Sequence, residues 1–355
     1  MSKARQLADL GNAYSDGALS NRNLIINGAM VHDQRNGGSS ITPTAWTYSV
    51  DRFRAEIGQA SKLTLQQDAG SVTPPDGFSH YLGVTSTSAY TPVTADYFYL
   101  NTQIEGYNAA QLAWGSVNAK DATLSFWVRS SVTGTHSGTL ANGNWTRSYP
   151  YTFTISAANT WEYKTVTVEG DTSGTWATDN TSGIQVTFSL GGGTTYRGTA
   201  GAWASVDNRA GVTGSVNIVA TNAATFYITG VQLEVGDTST PFEHRSFADQ
   251  LQACQRYYRK VGTVNGSDYL LESSITGNTN RIGVPIFDLP FRASPTITHY
   301  HFTTGTTGQL REFSSGTTRT VTVSGNMGVY GGGYIQLDAA LVNPLIYVAT
   351  YDAEL

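Results

Sequence analysis

Hydrophobic and polar side chains alternate one by one over much of this chain. In Leu124-Ser-Phe-Trp-Val-Arg129, Leu124, Phe126 and Val128 fall on one face, while Ser125, Trp127 and Arg129 fall on the other. Ile184, Val186, Phe188 and Leu190 alternate with Gln185, Thr187 and Ser189 in the same way. A period of two is that of a β-strand with one face buried. Near the end of this region Phe226 and Ile228 set one phase and Val231, Leu233 and Val235 the opposite one, so the change at Gly230 predicts a β-bulge. Turn signals such as Asn142-Gly143 and Gly191-Gly192-Gly193 separate the strands, with no helical segments between them. The pattern predicts an all-β fold, with an antiparallel jelly-roll sandwich over residues 21–243.

One segment has a helical period. Between His244 and Lys260 the apolar residues Phe247, Leu251, Cys254 and Tyr258 are spaced four, three and four apart, and Ser246 with Asp249 resembles a capping box. This predicts a short connecting helix over 244–260 whose seam could join copies of the chain in an oligomer. Strand signals resume in Thr320–Val323 and Tyr334–Leu337, giving a second, smaller C-terminal β domain over 261–355. Residues 1–20, with Leu7, Leu10 and Tyr14 among Ala and charged residues, read as an N-terminal docking or oligomer-contact segment.

Composition sharpens this picture. The 48 Thr of the 355 residues outnumber the 47 charged side chains, which suits pleated surfaces better than helices. A net charge of −5 offers no footprint for a phosphate backbone, so no nucleic-acid partner is expected. No run of 18 apolar residues and no apolar leader occurs, so neither membrane insertion nor an export signal is expected. The single Cys254 excludes an intrachain disulfide and a multi-cysteine metal site.

The chemistry on offer is that of binding. No Gly-x-Ser-x-Gly elbow, phosphate-binding loop or His-Glu-x-x-His helix is present, so no catalytic residues are assigned and the protein is expected not to be an enzyme. Gly170-Asp-Thr-Ser173 and Gly236-Asp-Thr-Ser239 read as turns in which Asp bonds backbone N–H groups two residues on. Sugars present flat C–H faces that stack on indole and phenol rings, and hydroxyls that need amide, carboxylate and guanidinium partners. All seven Trp lie in the first domain. The glycan-binding candidates are Trp127 and Arg129 on the outward strand phase, Trp145 and Tyr149 around the Asn142-Gly143 turn, and Trp176, Tyr196 and Trp203 in Gly/Thr-rich surroundings. His299 and His301 share one strand face and would hold a divalent metal only if that strand lay near a three-fold axis. No other cofactor is indicated.

Longer segments carry a resemblance. Leu19-Ser-Asn-Arg-Asn-Leu-Ile-Ile-Asn-Gly-Ala-Met30, Tyr48-Ser-Val-Asp-Arg-Phe53, and Gly230-Val-Gln-Leu-Glu-Val-Gly-Asp-Thr-Ser-Thr-Pro-Phe-Glu-His-Arg245 leading to Cys254-Gln-Arg-Tyr-Tyr258 resemble tailed-bacteriophage tail-fibre and virion structural proteins. The first domain is also similar to jelly-roll carbohydrate-binding modules, a family in which calcium often stabilises the fold. The resemblance implies a non-enzymatic virion protein, typically a homotrimer, assembled in the host cytoplasm. It would meet other virion proteins through its N-terminal segment and host surface polysaccharide through its sandwich. A purely structural virion component, such as a head decoration or baseplate-attached protein, is the alternative. A tailspike depolymerase, with clustered carboxylates about 5–10 Å apart, is a third.

Overall fold

The alternating segments pair into antiparallel sheets throughout the computed structural model, which describes Lys3 and residues 21–272, 274–275, 278–325 and 328–355. The expected docking segment 1–20 lies outside the described residues, Lys3 apart. The chain divides into two units, one ending at Gln250 and the other beginning at Leu251.

The first unit is a jelly-roll sandwich. Its six-stranded sheet runs β1 (Thr47–Tyr48), β2 (Phe53–Ile57), β5 (Tyr97–Glu105), β10 (Ser182–Gly192), β7 (Gly134–Asn142) and β8 (Ser148–Ile155). The five-stranded sheet runs β3 (Leu63–Gln67), β4 (Leu82–Ser86), β11 (Thr225–Val235), β6 (Ala122–Ser130) and β9 (Glu162–Val168). Consecutive strands therefore cross repeatedly from one sheet to the other. The predicted inward phases meet in the core: Phe126 of the five-stranded sheet packs edge-on against Phe153 and Phe188 of the six-stranded one, at 5.1 and 5.0 Å between ring centroids. Leu124, Val128, Val186 and Leu190 are fully buried around them. Each such side chain removed from water contributes about 1.5–3 kcal/mol, which is what forces the alternation seen in the sequence.

The bulge falls where the phase change put it. Between Thr229 and Gln232 the register of β11 against β6 shifts, and Gly230 adopts φ +62°. A Cβ there would lie 2.7 Å from the Phe78 ring and 3.2 Å from that of Trp127, so glycine is needed both for the backbone and for the close approach.

The second unit holds a three-stranded sheet (Tyr258–Val261, Ala349–Asp352, Thr296–His299) and a seven-stranded one. The end strands of the latter, Leu270–Glu272 and Ser274–Ile275, are one residue apart in the chain, so this sheet curls back toward itself. Its core includes Ile282, Leu310, Ile335, Leu337 and Tyr347.

Two expectations are corrected here. The helix spans only Phe247–Gln255, and Tyr258 opens a strand paired with Asp352, so Phe247, Leu251, Cys254 and Tyr258 do not form one helical seam. Cys254 and Tyr258 are buried within the chain itself, whereas Phe247 is 64% exposed and stacks on His32 at 4.5 Å. The capping box survives, with the Asp249 backbone N–H donating to Ser246 Oγ at 3.2 Å. His299 and His301 are likewise interior residues and not a pair displayed toward an axis. His299 is 3% exposed beside the Tyr347 hydroxyl, and His301 meets Thr318 Oγ1 at 3.1 Å while its Nδ1 accepts from the backbone of Thr303 and Thr304. Among the described residues no group of three or more His, Cys, Asp or Glu could hold a metal ion, and no helix is long and apolar enough to cross a membrane.

Candidate functional site

Most of the chemistry of the sandwich gathers on the outer face of the six-stranded sheet. While Phe53, Ala55 and Ile57 of β2 point into the core, Arg54 and Glu56 point out; while Phe98, Leu100 and Ile104 of β5 point in, Tyr97, Tyr99, Asn101 and Gln103 point out. The strand register sets Arg54 beside Asn101, Glu56 beside Tyr99, and Gln103 beside Gln185 of β10.

These neighbours form one hydrogen-bonded floor. Glu56 Oε1 accepts from Arg54 Nε at 2.8 Å and from Asn101 Nδ2 at 2.8 Å, and its Oε2 accepts from the Tyr99 hydroxyl. Asn101 Nδ2 also donates to Gln185 Oε1 at 2.8 Å, an oxygen that Gln103 reaches at 3.0 Å. Gln185 Nε2 in turn donates to the Gly143 carbonyl, tying the β7–β8 turn to the sheet. Burial, with the Glu56 charge beside it, pushes the Tyr99 hydroxyl far above its ordinary pKa, so it stays a donor. Because Asn101 must turn its amino group toward two acceptors, its Oδ1 faces away, and that buried oxygen has no donor among the described residues.

Rings and guanidinium groups line this floor. Arg35 lies 4.5 Å from the Tyr48 ring, and Arg54 lies 4.8 Å from the Trp46 ring and 5.6 Å from that of Tyr48. On the other side of Glu56, Arg209 lies 5.0–5.4 Å from the rings of Tyr97, Trp145 and Tyr196. Trp145 also meets Tyr99 at 6.0 Å, and Tyr97 meets Tyr196 edge-on at 5.6 Å. Trp46 is 62% exposed, and Tyr48, Tyr97, Trp145 and Tyr196 are half-buried. The assembly is a dry polar floor carrying partly open aromatic faces.

The candidates read from the sequence divide into three groups. Trp145 and Tyr196 belong to this face. Trp127 and Arg129 lie on the outer face of the opposite sheet, where half-buried Trp127 packs against Tyr163 at 5.4 Å and Arg129 lies 5.4 Å from the Tyr227 ring. Tyr149, Trp176 and Trp203 are packing residues. Trp176 and Trp203 meet each other at 5.3 Å and Trp114 at 4.7 and 5.2 Å, Tyr149 meets Trp203 at 5.3 Å, and each of the three indole N–H groups donates to a backbone carbonyl. They rest, half-buried like Trp145 and Tyr196, against the sandwich core and not among the rings of this face. Trp46, Tyr48, Arg54, Glu56, Tyr97, Tyr99, Asn101 and Arg209 were missed. The signal was present in Tyr97-Phe-Tyr-Leu-Asn-Thr-Gln103, whose outward phase is aromatic and amide side chains in place of the usual Thr and Ser.

No protein-family model and no curated protein matches the chain. Several solved structures do. The enzymatically active domain of tailspike protein 4 of bacteriophage CBA120 matches 61% of this chain at 12% identity and a TM-score of 0.30, and the match spans only 22% of that chain. A family 11 carbohydrate-binding module of a Clostridium thermocellum cellulosomal cellulase matches 59% of this chain and 100% of its own, at 12% identity and a TM-score of 0.27. A family 61 module crystallised with β-1,4-galactotriose matches 61% and 99%, at 11% identity and a TM-score of 0.28. None is near enough to carry a residue's role across.

Proposed function

We propose that the sandwich binds saccharide on the outer face of its six-stranded sheet, as the attachment module of a virion tail fibre or spike. The observation that carries the reading is the joining of open aromatic faces (Trp46, Tyr48, Trp145) to a fixed polar floor. A sugar ring stacked on an indole buries its C–H face, and its hydroxyls meet the partly exposed Arg209–Asp207 pair beside the rings. Floor and rings are held by one another before any ligand arrives, which lowers the ordering cost of binding. The virion assignment rests on the sequence segments that resemble tail-fibre proteins. In it, exposed apolar residues of the second unit, among them Leu271, Ile286 and Val342, supply contacts with further copies or other virion proteins, and several weak sugar contacts add through avidity.

The test is calorimetric titration of a saccharide panel into the wild type and into Trp46→Ala and Trp145→Ala. Binding weakened by both substitutions at unchanged melting temperature supports the proposal. Saccharide binding indifferent to both moves the site elsewhere. Purified protein should also compete with particles for host cells, and its failure to do so at saturating concentration would remove the attachment role.

A further inference from the structure

Arg54 and Glu56, and Arg209 and Asp207, are paired on this face in a way that selects the chemistry of the sugar, whereas Arg197 beside Gly192 bonds only the neutral Ser215 carbonyl and Asn217 Oδ1. Arg54 donates to Glu56 Oε1 through both Nε, at 2.8 Å, and Nη2, at 2.7 Å. Arg209 grips Asp207 through Nε, at 3.0 and 2.9 Å to its two oxygens, and through Nη2. Arg35 lies 3.9 Å from Asp51. Farther along the same face Arg52 and Glu105 add one charge of each sign. The flat faces of the guanidinium groups are taken as well, by Trp46 and Tyr48 for Arg54 and by Tyr97, Trp145 and Tyr196 for Arg209. Burial opposes the charge on Arg209, but its bonds to Asp207 and the acidic surroundings outweigh that and raise its pKa, so the pair stays ionised.

We propose that this face takes uncharged saccharides and rejects those bearing carboxylates. The inference rests on the face being the saccharide site. An acidic sugar would have to displace Glu56 or Asp207 from its arginine, exchanging one ion pair for another while stranding a carboxylate that in Glu56 is 1% exposed. It would also surrender the hydration of its own charge. A neutral hydroxyl meets neither cost, needing only a ring to stack on and the rim of the ion pairs as hydrogen-bond partner.

Isothermal titration of the full chain would use length-matched oligosaccharides of glucose, galactose, xylose and mannose, against those of glucuronate, galacturonate and N-acetylneuraminate. Each is run at about 50 and about 500 mM NaCl, since salt weakens only contacts that carry net charge. The expected result is neutral binding that changes less than about twofold with salt, with acidic binding at least about tenfold weaker. Asp207→Asn, which releases Arg209 at a half-exposed position, should gain about tenfold in acidic binding at low salt and lose that gain at high salt. The wild-type salt series stands by itself should the variant fold poorly. Salt-sensitive preference of the wild type for acidic sugars would overturn the inference and leave the site in place. The same holds if a folded Asp207→Asn protein gains no acidic binding. If no member of either panel binds, the saccharide reading falls and takes the inference with it.

Discussion

Replacing Glu56 by Gln tests the floor of the site directly. The carboxylate is 1% exposed and accepts from the Arg54 guanidinium, the Asn101 amide and the Tyr99 hydroxyl. Glutamine keeps the shape but removes the charge, and its amino group must face one of these donors. Arg54, 5% exposed, is then a buried cation without its counter-charge. Breaking a buried ion pair from one side costs about 3–5 kcal/mol. For a domain of this size each kcal/mol lowers the melting temperature by about 2–4 °C, so the drop should be about 6–20 °C. Differential scanning calorimetry on the full chain measures it. Substituting both partners, Arg54→Met with Glu56→Met, should cost less than the single change. No charge is then left unpaired; Asn101 Nδ2 keeps its bond to Gln185, and the main remaining cost is the lost acceptor of the Tyr99 hydroxyl, at about 1–3 kcal/mol. A single variant that melts within about 2 °C of wild type would refute the reasoning, because it would mean that water reaches and screens the pair.

Trp145→Ala should weaken saccharide binding by about tenfold while leaving the melting temperature nearly unchanged, since its half-exposed ring sits on the sheet and not in the core. Trp203→Ala should do the reverse, lowering stability by about 3–5 kcal/mol through loss of the contacts with Trp114, Trp176 and Tyr149, with saccharide affinity retained in the folded fraction. In the second unit burial pushes the His299 imidazole down to about 4. Its unfolded counterpart titrates near 6.5, so as the pH falls from about 6.5 to about 4 the unfolded chain binds a proton that the folded unit refuses. Stability should decline across that window by about 3 kcal/mol and then level off, and the His299→Gln protein should lack this decline. A His299 ring signal that titrates near 6.5 in the folded protein would show the assignment to be wrong.

Much of the fold was legible because burial writes itself into the sequence with a fixed period. Leu124 to Arg129 and Ile184 to Leu190 announced two inner faces, and the phase change at Gly230 announced its bulge, since a strand cannot keep both phases on one side of a sheet. The helix was overextended for a related reason. Phe247, Leu251, Cys254 and Tyr258 fit a helical spacing, yet Tyr258 is buried equally well from a strand, and single positions at a boundary cannot tell the two apart.

The site was harder to read because period tells inside from outside but not what an outside residue meets. Trp145 and Tyr196 reach the six-stranded face from loops, whereas Trp176 and Trp203, equally loop-borne and equally surrounded by Gly and Thr, fold down over the core. Nothing local separates the pairs: Tyr196 and Trp203 even share the connection between β10 and β11, and only long-range contacts decide where each ring packs. What local sequence did hold was the outward phase of β2 and β5, where Arg54, Glu56, Tyr99 and Asn101 stand at positions that a solvated strand would give to short polar residues. Long side chains with opposite charges and matched donors are stable there only when neighbouring strands bring them into contact. An outward phase rich in such groups therefore marks a covered or ligand-bearing face. That rule points to this sheet and passes over the Thr-rich outer face of β9, where Tyr163, Thr165 and Thr167 stand.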